Sequence, residues 1–161
     1  MKRLMTIICV LLAFAGLVLV PATAYASPPT TMSGTYAFVS RVVVDVRQAD
    51  GNTIVEDILR QTLTGTVTGS ATFERTTIIH SDGEFNIHGI ITSDLVTVIG
   101  RSGTYTQLID ATGIAATGAI QGRWVILSGT GELANMRAHG TFEGVAGVTG
   151  TYLGQLHFDP Q

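Results

Sequence analysis

Hydrophobic and polar positions alternate along most of this chain beyond residue 33, and glycine breaks the alternation at short intervals. Between Tyr36 and Arg47, the residues Tyr36, Phe38, Val42, Val44 and Val46 share one parity, while Arg41, Asp45 and Arg47 share the other. A period of two predicts a long strand with one wet face. Asp50-Gly51 then marks a hairpin turn, and Ile54 to Val67 carries the chain back. Ser70 to His80 and Glu84 to Ile91 form the next predicted pair, around Ser81-Asp82-Gly83. Leu95 to Ile99 is a short apolar run, the pattern of a strand buried on both sides. Thr104 to Ile109 and Ala119 to Leu127 predict a pair joined across Gly113. Arg137 to Glu143 and Thr151 to Phe158 predict a closing pair around the loop Gly144 to Gly150. The one stretch with helical preference, Glu132 to Met136, is barely a turn long.

Four of these segments open with the same mark. Gly34-Thr35-Tyr36, Gly103-Thr104-Tyr105, Gly140-Thr141-Phe142 and Gly150-Thr151-Tyr152 each place a glycine before two residues that suit a pleated surface. The pattern predicts an all-β fold: a single closed or nearly closed antiparallel β-barrel of about eight strands, with at most one short helical turn near 131–136. An interior of that size is either filled by side chains or holds one small ligand.

The first 26 residues have a different character. Lys2 and Arg3 precede an apolar run from Thr6 to Val20, and Ala24-Tyr25-Ala26 supplies a small-x-small cleavage site. These marks predict a secretory signal peptide over 1–26, a flexible linker over 27–33 and a barrel domain over 34–161. The apolar run is shorter than the roughly 20 residues of a spanning helix, so a secreted or envelope protein with no stable membrane anchor after cleavage is expected. The single cysteine, Cys9, lies in the leader. The expected mature chain therefore has no disulfide, no thiol nucleophile and no thiolate ligand. It retains seven arginines, twelve acids and no lysine, a net charge of −5. Schiff-base chemistry is excluded, and no basic run exists to follow a nucleic acid backbone.

Gly129-Thr130-Gly131-Glu132-Leu133-Ala134-Asn135-Met136, the Gly140-Thr141-Phe142 strand start and the ending Gly150-Thr151-Tyr152 to Phe158-Asp159 carry a family resemblance. Together with Gly100-Arg101-Ser102-Gly103-Thr104-Tyr105 they resemble the DUF3224 family, a domain of unknown function, over roughly Gly65 to Asp159. The leader and the first third of the chain depart from that pattern. The resemblance implies an eight-stranded barrel of the kind shared by allene oxide cyclase and the dirigent proteins, whose apolar interior shapes a hydrophobic molecule. It brings no catalytic residues with it.

Candidate chemistry is sparse. Neighbours on a strand face opposite ways, so one of Glu74 and Arg75 looks into the barrel. An inward carboxylate would have a raised pKa and serve as a general acid; the competing reading is a satisfied core charge. Tyr36, Phe38, Phe73, Phe85, Tyr105, Trp124 and Phe142 either wall a ligand pocket or fill it. The histidines His80, His88, His139 and His157 show no metal-ligand spacing, and neither a metal nor a cofactor is expected. Glu132 reads as a loop-fixing residue beside Thr130. Three functions stay open: a module binding a small apolar ligand, a cyclase or isomerase using Glu74 or Arg75, and an interaction protein with a filled barrel. A homo-oligomer is compatible with each.

Overall fold

The computed structural model describes residues 28–160, so the expected signal peptide lies outside the described residues. Ten strands follow one another: β1 (Thr30–Ala49), β2 (Asn52–Gly65), β3 (Val67–Ile79), β4 (Glu84–Ser93), β5 (Val96–Val98), β6 (Arg101–Gly103), β7 (Tyr105–Ile114), β8 (Ala119–Gly129), β9 (Met136–Val145) and β10 (Thr149–Phe158). Among the described residues the one helical turn is a 3-10 turn at Gly131–Leu133. Every pairing is antiparallel. β1 pairs with both β2 and β10, and β2 with β3, which closes β1, β2, β3, β4, β7, β8, β9 and β10 into an eight-stranded barrel. The hairpin β5–β6 hangs from the start of β3.

Why so many glycines sit inside these strands follows from the register. Gly34 lies opposite Tyr152 and Tyr36 opposite Gly150, so two Gly-Thr-Tyr marks pair with each other. Gly122 lies opposite Phe142 and Trp124 opposite Gly140, a second reciprocal square. Each ring occupies the volume that its neighbour's missing side chain leaves. A Cβ on Gly34 would fall 2.6 Å from Tyr152 Cζ, and one on Gly150 2.5 Å from Tyr36 Cζ. Trp124 reaches across two strands, since a Cβ on Gly140 or Gly154 would meet its Cζ2 at 2.6 or 2.5 Å. An interior packed to crystal density has no room for both a ring and a facing side chain.

One inward row circles the barrel through Met32, Gly154, Gly140, Trp124, Ile109, Gly89, Arg75 and Asp57, and returns to β1 at Val43. The row starts and ends at different heights on β1, which is the stagger that closure of tilted strands requires. In consequence β10 covers only Thr30–Ala37 of β1, and the rest of that strand stands beyond it, paired with β2 alone. This lip overhangs one end of the barrel. The other end is plugged by Val96, Val98, Leu133 and Met136, all essentially buried.

Several expectations change at this level. The tether read into 27–33 gives way to strand from Thr30, because Met32 continues the inward parity of Tyr36 and is buried. Register shifts between Phe38 and Ser40 and between Val43 and Asp45 break the single alternation expected for β1. Arg41 therefore lies opposite the buried Leu59, and Val42, Val44 and Val46 are exposed. The run Leu95–Ile99 is not buried on both sides: Val96 and Val98 point in, and Leu95 and Ile99 are exposed. Gly113 lies within β7, and the turn to β8 comes after Ile114. Asp50 and Gly51, by contrast, both take positive φ (50° and 81°), as a tight two-residue hairpin turn requires.

Gly140→Ala drives a methyl into Trp124 and the facing backbone, and it should destabilise the barrel by about 1–3 kcal/mol. The check is the urea midpoint, followed through the emission of the single tryptophan.

Candidate functional site

A cavity runs along the barrel axis from Met32 and Val67 near the plugged end to Phe38, Phe142, Ala146 and Gly147 under the lip. Its volume is about 60 Å³, and the empty space reaches about 660 Å³ when the open mouth is counted. A water needs roughly 10–15 Å³ on the same footing, so the inner part admits a few waters or the slim end of a ligand. Most of the interior is filled by side chains. Of the aromatics nominated from sequence, Tyr36, Phe38, Phe73, Tyr105, Trp124 and Phe142 line the cavity, joined by Tyr152. Phe85 does not; it is buried against Gly113.

The mouth is an aromatic cluster. Tyr36 meets Phe38 and Phe142 edge-on, with ring centroids 5.6 and 6.1 Å apart, and Phe38 stacks on Phe73 at 6.4 Å. Phe38 and Phe142 are half-buried, so the cluster's outer rings border solvent. Burial pushes the Tyr36 hydroxyl up to about 12, with the Arg75 charge opposing the shift. Burial likewise raises Tyr105 and Tyr152. The Tyr152 hydroxyl closes the β2–β3 turn: it accepts from Val67 N (3.1 Å) and donates to Thr64 O (3.1 Å).

Arg75 is the inward member of the pair singled out from sequence, and Glu74 is exposed on the outside. The carboxylate that the barrel does bury is Asp57, on β2 directly opposite Arg75. Arg75 Nε and Nη2 donate to its two oxygens at 2.7 and 3.2 Å, and Arg41 Nε donates to Oδ2 from the lip. The Asp57 side chain has no exposure and that of Arg75 5%, whereas Arg41 is 48% exposed. Two guanidiniums thus share one carboxylate. Arg75 also lies over Phe73, 5.8 Å from the ring centroid, and Gly89 on the other side leaves space for its side chain. Asp57 was visible in the sequence as a polar residue on the apolar parity of Val55, Leu59 and Leu63; Gln61 and Gln107, which line the cavity, show the same signal. One inward position beyond Arg75, the Thr77 hydroxyl is buried without a hydrogen-bond partner among the described residues.

The remaining candidates lie elsewhere. His80 bonds Asn52 and Asn86 at 3.2 and 2.8 Å, His88 pairs with Asp110 at 2.7 Å on the exposed surface, and His157 approaches Asp159 at 3.4 Å. His139 is exposed on β9. Among the described residues no three His, Cys, Asp or Glu side chains converge. Glu132 accepts from Ser102 N at 2.8 Å, and Thr130 Oγ1 pairs with Thr104 Oγ1 at 2.7 Å. The 100–105 and 129–136 segments of the sequence resemblance therefore pin the plugged end, whereas Phe142 of its Gly140-Thr141-Phe142 segment lies at the mouth.

A solved structure of a protein of unknown function from the DUF3224 family of Shewanella oneidensis resembles this barrel, with a TM-score of 0.64 and 15% sequence identity. The likeness covers 83% of this chain and all of that one, and it shows a shared fold. No family model matches the chain, and no curated protein does.

Two outcomes test the site's electrostatics. Asp57→Ala leaves two guanidiniums without their buried partner and should cost about 3–5 kcal/mol in urea unfolding. Tyr36 ionises near pH 10 when unfolded and near 12 when folded, so the folded state binds more protons between those values. Stability should fall as pH rises from 10 to 12, and Tyr36→Phe should shallow that fall.

Proposed function

We propose that this protein is a binding module that takes a small, largely apolar molecule into the mouth of its barrel. The supporting observation is the cavity wall: nearly all apolar, ringed at its opening by Tyr36, Phe38 and Phe142, with Arg75 as its charged point. Such a wall of apolar side chains with a few polar groups is the usual form of a small-ligand site. The narrow inner volume favours a slim or ring-sized molecule over a bulky one. The leader-like first 26 residues support export of this module. A cyclase of the kind the allene oxide cyclase likeness suggests would have to work through Arg75, since Glu74 is outside and Asp57 is held by two arginines. Binding asks for nothing beyond the wall itself.

A second reading draws on the lip. Past Ala37, β1 has β2 on one side and no strand on the other, and Val39, Val42, Val43, Val44 and Val46 are all at least half exposed. An edge of that length and composition is a template for strand pairing, and a second copy of the chain offers the matching edge by two-fold symmetry. Sedimentation equilibrium decides this reading: a dimer lost on Val43→Lys supports it, and a monomer at all concentrations removes it.

For the binding module, the titration is of Trp124 emission, which reports on the cavity wall, with an apolar aromatic probe such as aminoanthracene. Saturable quenching is expected, weakened roughly tenfold or more by Ala146→Leu at the mouth. A linear, non-saturating response in the unmodified protein would contradict the reading.

A further inference from the structure

We propose that the ligand of this barrel is a carboxylate, an apolar body with one acidic headgroup, and that Arg75 is the group that recognises it. This rests on the small-ligand reading above and specifies its headgroup. Arg41 and Arg75 converge on Asp57 alone, so the cluster carries one positive charge that no acid on the inner wall offsets; Asp57 is the one carboxylate among the buried residues. Arg41, 48% exposed, is solvated by water, so the spare charge leaves the buried Arg75 at a positive potential beside the low-dielectric cavity, and an arriving anion meets it favourably.

Geometry places the spare capacity on the cavity side. Asp57 takes the Nε and Nη2 edge of Arg75, and Nη1 has no acceptor among the described residues. Arg75 is the charged residue of the cavity wall, beside Tyr36, Gln61 and Phe73. Asp57 and Phe73 fix the guanidinium from two sides, so little rotamer freedom is lost when a ligand binds. A charge-assisted bond from guanidinium to carboxylate is roughly twice as strong as a neutral one, which favours an acid over an alcohol of equal shape. The aromatic mouth would receive the apolar body, for which hexanoate and benzoate are suitable sizes.

The test compares hexanoate and benzoate with hexanol and benzyl alcohol on the full chain, by calorimetric titration with Trp124 emission in parallel. The acids should bind roughly tenfold or more tighter than the matching alcohols at low salt. Arg75→Gln should erase that preference while leaving alcohol binding in place. Since Arg75→Gln strips Asp57 of a partner and is the variant most exposed to misfolding, Arg41→Gln provides the independent arm. It should lower acid binding about threefold with no change for the alcohols. Acids and alcohols binding equally would overturn the headgroup assignment and leave the binding module standing. No binding by any of the four would overturn both, and an acid preference that survives Arg75→Gln and Arg41→Gln would overturn the assignment to Arg75.

Discussion

Rings laid across glycines are the constraint on which this barrel depends. An eight-stranded barrel has an interior that side chains can fill almost completely, and this chain offers it Tyr36, Phe73, Tyr105, Trp124, Phe142 and Tyr152 at inward positions. Those rings fit because the positions opposite them are empty: Gly150 under Tyr36, Gly34 under Tyr152, Gly122 under Phe142, and Gly140 and Gly154 under Trp124. Glycine inside a strand normally weakens it through backbone entropy. Here that loss is offset by the burial of an aromatic side chain, which removes roughly 150–250 Å² from water.

The same arrangement decides where anything else can bind. Trp124, laid over its glycines, narrows the middle of the barrel, and Leu133, Met136, Val96 and Val98 close one end. What remains open is the end under the lip, and the lip exists because the closure stagger carries β1 past the reach of β10. Arg41 stands on that overhang and meets Asp57, which meets Arg75 on the adjoining strand. A consequence of strand register is thus a buried Asp57–Arg75 pair beside an apolar mouth, with a second, half-exposed arginine on its solvent side.

Much of the fold was legible in the sequence, and the reasons can be named. Strand positions followed from period-two alternation and from turn residues with a required conformation, such as Asp50-Gly51. The Gly-Thr-aromatic marks were read as strand openings, yet their larger meaning is that two of them pair with each other, and pairing is a long-range fact that local pattern does not contain. The bulges at Val39 and Val44 were hidden for a related reason. They arise where β1 leaves the barrel wall, and they turn Arg41 inward against the simple alternation. The site was legible in part: one of Glu74 and Arg75 had to face in, but which one depends on the register with β2. Asp57, Gln61 and Gln107 carried a usable signal as polar residues on an otherwise apolar parity. Phe85 lies among the inward rings but outside the cavity, a distinction set by packing against Gly113 rather than by residue type.

The most direct measurement is a double-mutant cycle on one ring and the glycine beneath it, Tyr36→Leu with Gly150→Ala, read as unfolding free energies in urea. Shortening the ring should relieve the added methyl, so the double variant should be more stable than the two single changes predict together, by about 1 kcal/mol or more. Additivity within about 0.5 kcal/mol would mean that ring and glycine do not share one volume, and it would contradict the account of how this interior is built.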